Sequence, residues 1–567
     1  MHCRNVIATS GSFWHISDLH LDPEYQKSSD PLKVCPSAGT QPVISAGTWG
    51  DYLCDSPWIL INSSIYAMKK ILPDPDFILW TGDDTPHVPD EKLGDKTVLE
   101  IIKKLTNLIR HVFPDTQVYP AMGNHDFHPK NQLPVEENKI YNVTAELWHP
   151  WLEEPSIQKF RTGAFYSQLL PGLGPRRRII VLNTNLYYES NNRSVSLEDP
   201  GGQFQWLQTL LTKASETGEK VYIIGHVPPG VFEKKRGKPW FRKHFNQRYT
   251  EIIQKHHAVI AAQFFGHHHT DSFRMFYDNT DSPISVIFLA PAVTPWKTTL
   301  PGVQNGANNP GIRVFKYDRE TLLVKDIVTY YLNLTHANMG TPEWKKEYSL
   351  TEAYQIPDGS VRSMHLLVEK LMKDESQLQK YYRYNSVQYD NTFCDDSCQT
   401  DHIFWRISQT QSRDFQPTCE RCRPSLARRL SFKTVPATRL GVNRRRMEGY
   451  RLGLFLPAEK PASEPGGSRV ALSPHWVPPL LRGKQARRRE RRGGEATQRP
   501  GRPAPRASPA VEETPRFPRS LQAREIAGRK RTGSPRKETG VVRPGAGKGR
   551  LQARRKSRFE GSLKEGI

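Results

Sequence analysis

The chain has 567 residues, a quarter of them charged, with 81 Lys and Arg against 58 Asp and Glu. The net charge of +23 is unevenly spread: residues 424–567 hold 36 Lys and Arg against 11 Asp and Glu, leaving 45 against 47, a net of −2, for residues 1–423. The larger, aromatic-rich part therefore lacks the basic footprint that nucleic-acid binding needs, and no run approaches the roughly 20 apolar residues that span a bilayer.

Residues 1–12 form a short leader without the apolar core of a signal peptide. A first strand, 13–16, stops in Asp18 and His20. Residues 21–57 are a Pro-, Gly- and Ser-rich loop holding Cys35 and Cys54, which a disulfide could pin, and 58–72 reads as a helix. The apolar run 77–80 reads as a strand buried on both faces; it breaks off in Gly82, Asp83 and Asp84, with His87 beyond. Val98, Ile101, Ile102, Leu105, Leu108, Ile109 and Val112 keep helical spacing and predict an amphipathic helix over 95–113. Strand 117–122 runs into Gly123, Asn124, His125 and Asp126, and strand 178–182 ends in Asn183, Thr184 and Asn185. A helix with Phe204, Leu207, Leu210, Leu211 and Ala214 on one face leads to strand 220–224 and His226. Strand 259–265 ends in Gly266, His267, His268 and His269; His268 alternates away from its neighbours, while His256 and His257 close a helix and are expected to face solvent. Strands 284–289, 311–317 and 324–332 lack such endings and read as antiparallel members of a second sheet.

Five strands thus finish in Asp18/His20, Asp83, Asn124/His125, His226 and His267/His269, expected at one edge of a single sheet, where α/β folds hold ligands. A carboxylate has two oxygens and can touch two cations, so Asp83 suits a bridge between paired metal ions. In this order D-x-H, G-D, G-N-H-D, G-H and G-H-x-H resemble the motifs of calcineurin-like metallophosphoesterases. The words at 13–20, 80–87, 225–230 and 294–300 resemble the acid sphingomyelinase-like phosphodiesterase branch, over about residues 13–400.

That resemblance implies an α/β metallophosphoesterase β-sandwich flanked by helices over 13–335 and a small helical, Cys-containing C-terminal subdomain over 336–423; composition adds a basic tail over 424–567. It implies two zinc ions per chain, one held by Asp18, His20, Asp83 and His269 and the other by Asp83, Asn124, His226 and His267. Pro86 stands where iron-containing purple acid phosphatases carry a tyrosine, so zinc is expected over iron. A metal-activated water would attack phosphorus, His125 would protonate the leaving group with Asp126 orienting it, and His87 would contact the phosphate or leaving group. The expected substrate is a small phosphodiester, a nucleotide of the CDP-choline or ATP kind, or a sphingolipid headgroup; a phosphomonoesterase or a non-enzymatic membrane-associated modulator is the alternative. Acid sphingomyelinase carries a saposin domain ahead of its catalytic domain. Here 12 residues precede the first strand, so any approach to a membrane surface would fall to the catalytic domain itself.

In 336–423, Met364, Leu367, Val368, Leu371, Leu378, Tyr381 and Tyr382 continue a helical pattern. Cys394 and Cys398, four apart, read as a local disulfide; Phe404 stands where the family has its next cysteine, leaving Cys3, Cys419 and Cys422 without assigned partners. Sequons at Asn62, Asn142, Asn192 and Asn333 offer glycan acceptors, and with the loop cysteines they lean towards an extracellular or cell-surface setting. The written chain shows neither a signal-peptide run nor the lipid-anchor signal of membrane-type relatives. Beyond 424 the Arg-, Pro- and Gly-rich tail is expected to be disordered, either a polybasic arm for anionic lipid or nucleic acid or a segment with no selected role.

Overall fold

The computed structural model describes residues 10–402 except 171, 173–175, 233, 236–237, 301–302, 304, 396–397 and 400. Cys3, Phe404, Cys419, Cys422, residues 403–423 and the 424–567 tail lie outside the described residues.

Among the described residues, twelve strands build two six-stranded sheets. In chain order they are β1 (Ser10–Ile16), β2 (Ile78–Trp80), β3 (Val118–Pro120), β4 (Tyr166–Leu169), β5 (Arg177–Val181), β6 (Lys220–Ile224), β7 (Ile260–Phe265), β8 (Ser272–Tyr277), β9 (Pro283–Leu289), β10 (Gly311–Asp318), β11 (Val324–Leu332) and β12 (Trp344–Ser349). The first sheet runs β12-β11-β10-β1-β2-β3, with β1, β2 and β3 parallel and the other three antiparallel to their neighbours. The second runs β4-β5-β6-β7-β9-β8, parallel from β5 to β9 with antiparallel edges.

The apolar runs explain the parallel centres. Ile78, Leu79 and Trp80 are all buried, as a strand covered on both faces requires. The sheets meet through aromatic rings: Phe13 stacks on Phe77 at 4.6 Å and on Phe315 at 5.1 Å, and meets Phe264 of the other sheet edge-on at 5.5 Å. The helix Asp95–Val112 buries all seven of its predicted apolar positions.

Several expectations need correction. β10 and β11 join the first sheet beside β1, and β9 pairs in parallel with β7. The five functional strand ends therefore belong to two sheets, β1, β2 and β3 in one and β6 and β7 in the other. Side-chain bonds across the layers bring these ends together: His226, after β6, donates from Nδ1 to Thr81 O, after β2, at 2.7 Å. β4, β8 and β12 were not anticipated, because β8 buries Arg274 within its run and β12 is largely polar. β1 begins at Ser10, three residues earlier than expected. His256 is buried at the end of helix Lys243–His256, whereas His257 is exposed.

The helices Val361–Lys373 and Glu375–Asn385 bury Met364, Leu367, Val368, Leu371, Leu378 and Tyr381, with Tyr382 half-buried. Both expected disulfides, Cys35–Cys54 and Cys394–Cys398, are formed. Asn192 is exposed, while Asn62, Asn142 and Asn333 are half-buried. Among the described residues no helix is long and apolar enough to cross a membrane.

Candidate metal centre

The functional side chains leave their strands through backbone that most residues avoid. Asp18, His20, Asp83, His267 and His269 have φ of 52°, 40°, 61°, 71° and 62°, a left-handed conformation that costs of order 1–3 kcal/mol at a non-glycine position and clusters at functional sites. Gly82 and Gly123 let the β2 and β3 loops touch: a Cβ on Gly123 would lie 2.0 Å from Asp83 Oδ1, and one on Gly82 2.2 Å from Gly123 N. Asp126 clamps the same two loops, its Oδ2 accepting from the backbone N–H of Asp83 (2.9 Å) and Gly123 (2.7 Å) and its Oδ1 from that of Asp84 (2.7 Å). Its carboxylate is thus committed to backbone, and the expectation that Asp126 orients the His125 ring fails. His125 Nδ1 is buried and has no hydrogen-bond partner among the described residues.

All seven ligand candidates converge. Asp83 Oδ2 lies 3.0 Å from His226 Nε2 and 3.5 Å from His20 Nε2. Asp18 Oδ1 lies 3.6 Å from His269 Nε2 and 3.9 Å from His20 Nε2, and Asn124 Oδ1 is 3.1 Å from His226 Nε2. Ligand atoms of Asp18, His20 and Asp83 fall within 4.8 Å of one another, as do those of Asp83, His226 and His267. Asp83 is the member common to both groups.

Each ligand is aimed from behind. His20 Nδ1 donates to Thr85 O and His226 Nδ1 to Thr81 O, both at 2.7 Å, so each ring turns its Nε2 inward; burial would lower His226, but the Asp83 carboxylate beside it raises it to about 9. Asn124 Nδ2 donates to Asn131 Oδ1 at 2.8 Å, which directs Asn124 Oδ1 to the centre. Burial holds His20, His267 and His269 well below the ordinary histidine value, so all three are neutral donors of a lone pair. Burial pushes Asp18 up; it would also raise Asp83, but His226 and His125 draw that carboxylate well below the ordinary range. The Nε2 atoms of His20 and His267 are buried without a hydrogen-bond partner among the described residues. Neutral imidazoles with orphaned acceptors, packed against buried carboxylates, form a donor set that fits metal ions.

His87 belongs to a third such group, with His20 and His269. Its backbone N–H donates to Asp55 Oδ2 at 2.6 Å, its Nδ1 lies 3.0 Å from Asp55 Oδ1, and its ring stacks on Trp296 at 3.6 Å. Thr294 Oγ1 donates to the same carboxylate at 3.0 Å. The His87 ring is 4.1 Å from that of His20 and 4.4 Å from that of His125. Burial lowers His87 to about 3 and His125 to about 4, leaving both neutral near pH 7. Sequence reasoning missed Asp55, Trp296 and Asn131; the one available signal was that Asp55 follows Cys54 in a pinned loop. His268 turns away, as expected, towards Trp240 and Arg274.

The chain matches the calcineurin-like phosphoesterase family over residues 11–271 and the acid sphingomyelin phosphodiesterase C-terminal region over residues 282–411. It is 64% identical over 397 residues to acid sphingomyelinase-like phosphodiesterase 3b of Mus musculus, covering 70% of this chain and 87% of that one. The chain belongs to the acid sphingomyelinase-like phosphodiesterases. This phosphodiesterase is also 44% identical over 403 residues to the cyclic GMP-AMP phosphodiesterase SMPDL3A of Homo sapiens, covering 70% of this chain and 88% of the relative. With sphingomyelin phosphodiesterase of Bos taurus it shares 34% over 395 residues, which cover 65% of this chain and 59% of that protein. Membership makes the chain a phosphodiester hydrolase whose Asp and His clusters suit metal ions.

Proposed function

We propose that this phosphodiesterase hydrolyses small phosphodiesters at a paired-metal site, with two zinc ions as its occupants. Asp18, His20, Asp83 and His269 would hold one ion, and Asp83, Asn124, His226 and His267 the other. The observation that carries this is the sharing of buried Asp83 between two ligand groups whose imidazoles turn inward, with His20 in one and His267 in the other held neutral. Bound there, the ions would supply Lewis acidity and an activated water for attack on phosphorus.

The chain's own groups supply the rest. Neutral His125 and His87 stand side by side next to His20. His87, locked between Asp55 and Trp296, fixes the position of the phosphate or leaving group, and His125, after taking up a proton to become imidazolium, passes that proton to the departing oxygen. Trp296 and His87 present a stacked aromatic wall beside the ligands, compatible with a nucleotide base or a choline-type headgroup. Relatives whose names carry cyclic GMP-AMP and sphingomyelin support a nucleotide-type or sphingolipid-headgroup phosphodiester as substrate.

Metal analysis of the purified chain, with turnover measured on a panel of nucleotides, CDP-choline and sphingomyelin, tests the proposal. Asn124→Ala is expected to lose metal. His125→Ala is expected to keep metal while kcat falls about 10²- to 10⁴-fold, the usual contribution of a positioned proton donor. Undiminished turnover in His125→Ala would remove it from the acid role.

A further inference from the structure

The loop that carries His267 and His269 ends at Asp271, the last residue of the calcineurin-like match. The C-terminal region holds Asp271 in place. Its backbone N–H donates to Asn385 O at 3.0 Å, and its backbone O accepts from Asn385 Nδ2 at 3.1 Å and from Tyr381 Oη at 3.3 Å. Its carboxylate accepts from Tyr348 Oη at 2.7 Å and Thr329 Oγ1 at 3.2 Å and pairs with Arg313. These partners come from β10, β11, β12 and helix Glu375–Asn385. Asn385 is 0% exposed.

Nearer the centre the loop is also tied by His267 N–H to the Asp18 carboxylate at 3.0 Å, by His269 O to Ala292 N–H at 3.1 Å, and by the His268 ring to Trp240 and Arg274. Between these anchors His267 and His269 keep their left-handed φ. A strained backbone persists only where its surroundings over-determine it. Release of Asp271 would let residues 267–271 relax towards ordinary φ, and both imidazoles would swing off the centre.

We propose that Asn385, assisted by Tyr381, is a positioning residue for the metal centre: by fixing Asp271, helix Glu375–Asn385 sets the aim of His267 and His269. The inference rests on the metal-binding reading above and extends it to residues that touch no ligand candidate. It makes the C-terminal region part of the scaffold of the site.

The test uses the full chain as wild type, Asn385→Ala, Tyr381→Phe and Asp83→Asn. Zinc affinity is read by competition with a chromophoric chelator, and Tm is measured with and without zinc. Loss of groups that support metal ligands lowers metal affinity about 10- to 100-fold, and Asn385→Ala is expected in that range. Its Tm is expected to fall more with zinc than without. Tyr381→Phe, which removes the longer bond to Asp271 O, is expected to weaken zinc less but in the same direction. Wild-type zinc affinity in Asn385→Ala, or equal losses of Tm with and without zinc, overturns the proposal. Should Asn385→Ala fail to fold, Tyr381→Phe decides, and unchanged zinc affinity there overturns it. If wild type takes up no more zinc than Asp83→Asn, the metal reading itself is wrong and the proposal falls with it.

Discussion

His15 shows how burial, with a neighbouring charge, sets the acid tolerance of a residue that takes no part in the chemistry. It is 1% exposed, and its Nε2 lies 3.0 Å from Thr81 Oγ1. Burial first, then the Arg313 charge, lowers its pKa from 6.5 to about 3. As pH falls, the unfolded chain takes up this proton near 6.5 and the folded chain only near 3, so folding stability is lost progressively between the two. His15→Gln keeps a polar end for Thr81 and has nothing to protonate. It is expected to lose less Tm than wild type between pH 7 and pH 4; parallel pH profiles would clear His15 of this role. No pattern in the chain marked this histidine, because a polar residue inside an apolar strand run reads equally well as facing solvent.

At the level of elements, the β2 and β3 loops are a matched pair. Their approach is permitted by Gly82 and Gly123, and the Asp126 carboxylate stitches them together through three backbone amides. A methyl group at position 123 would meet Asp83 N at 2.2 Å and Asp83 Oδ1 at 2.0 Å, and neither atom can retreat without moving the shared ligand. Gly123→Ala is expected to lose about 1–3 kcal/mol in urea unfolding, the usual range for overpacking, together with metal. Gly94→Ala meets nothing within 4 Å and serves as the control, expected to change stability by about 0.5 kcal/mol or less. A Gly123→Ala variant as stable and metal-replete as this control would contradict the close approach. The apolar helices and parallel strands were readable because their spacing is local. The short or polar edge strands β4 and β12 carry little apolar pattern to read, and in β8 the buried Arg274 interrupts an otherwise apolar run.

For the molecule as a whole, a site assembled from two sheets couples metal binding to folding. A ligand present at 1,000 times its Kd adds about 4 kcal/mol of stability per site if it binds only the folded chain. Removal of metal by chelation is therefore expected to lower Tm, with full recovery on adding zinc back, and Asp83→Asn should abolish the difference. A chelator-insensitive Tm in a metal-loaded sample would show that the ions do not bind the folded chain preferentially.

The chain alone identified all seven ligand candidates, His87 and His125, both disulfides and the family, because each of these features is a short local signal: a strand end, a cysteine spacing, a five-motif order. Which sheet each strand entered, the backbone clamp made by Asp126, the Asp55 and Trp296 support of His87, and the hold of Asn385 on Asp271 were decided only in three dimensions. Those contacts join distant stretches of chain: Asn385 is 114 positions from Asp271, and the His267 N–H reaches the Asp18 carboxylate across 249. Pairing over such distances depends on how the sheets stack, and residue type and spacing do not encode it.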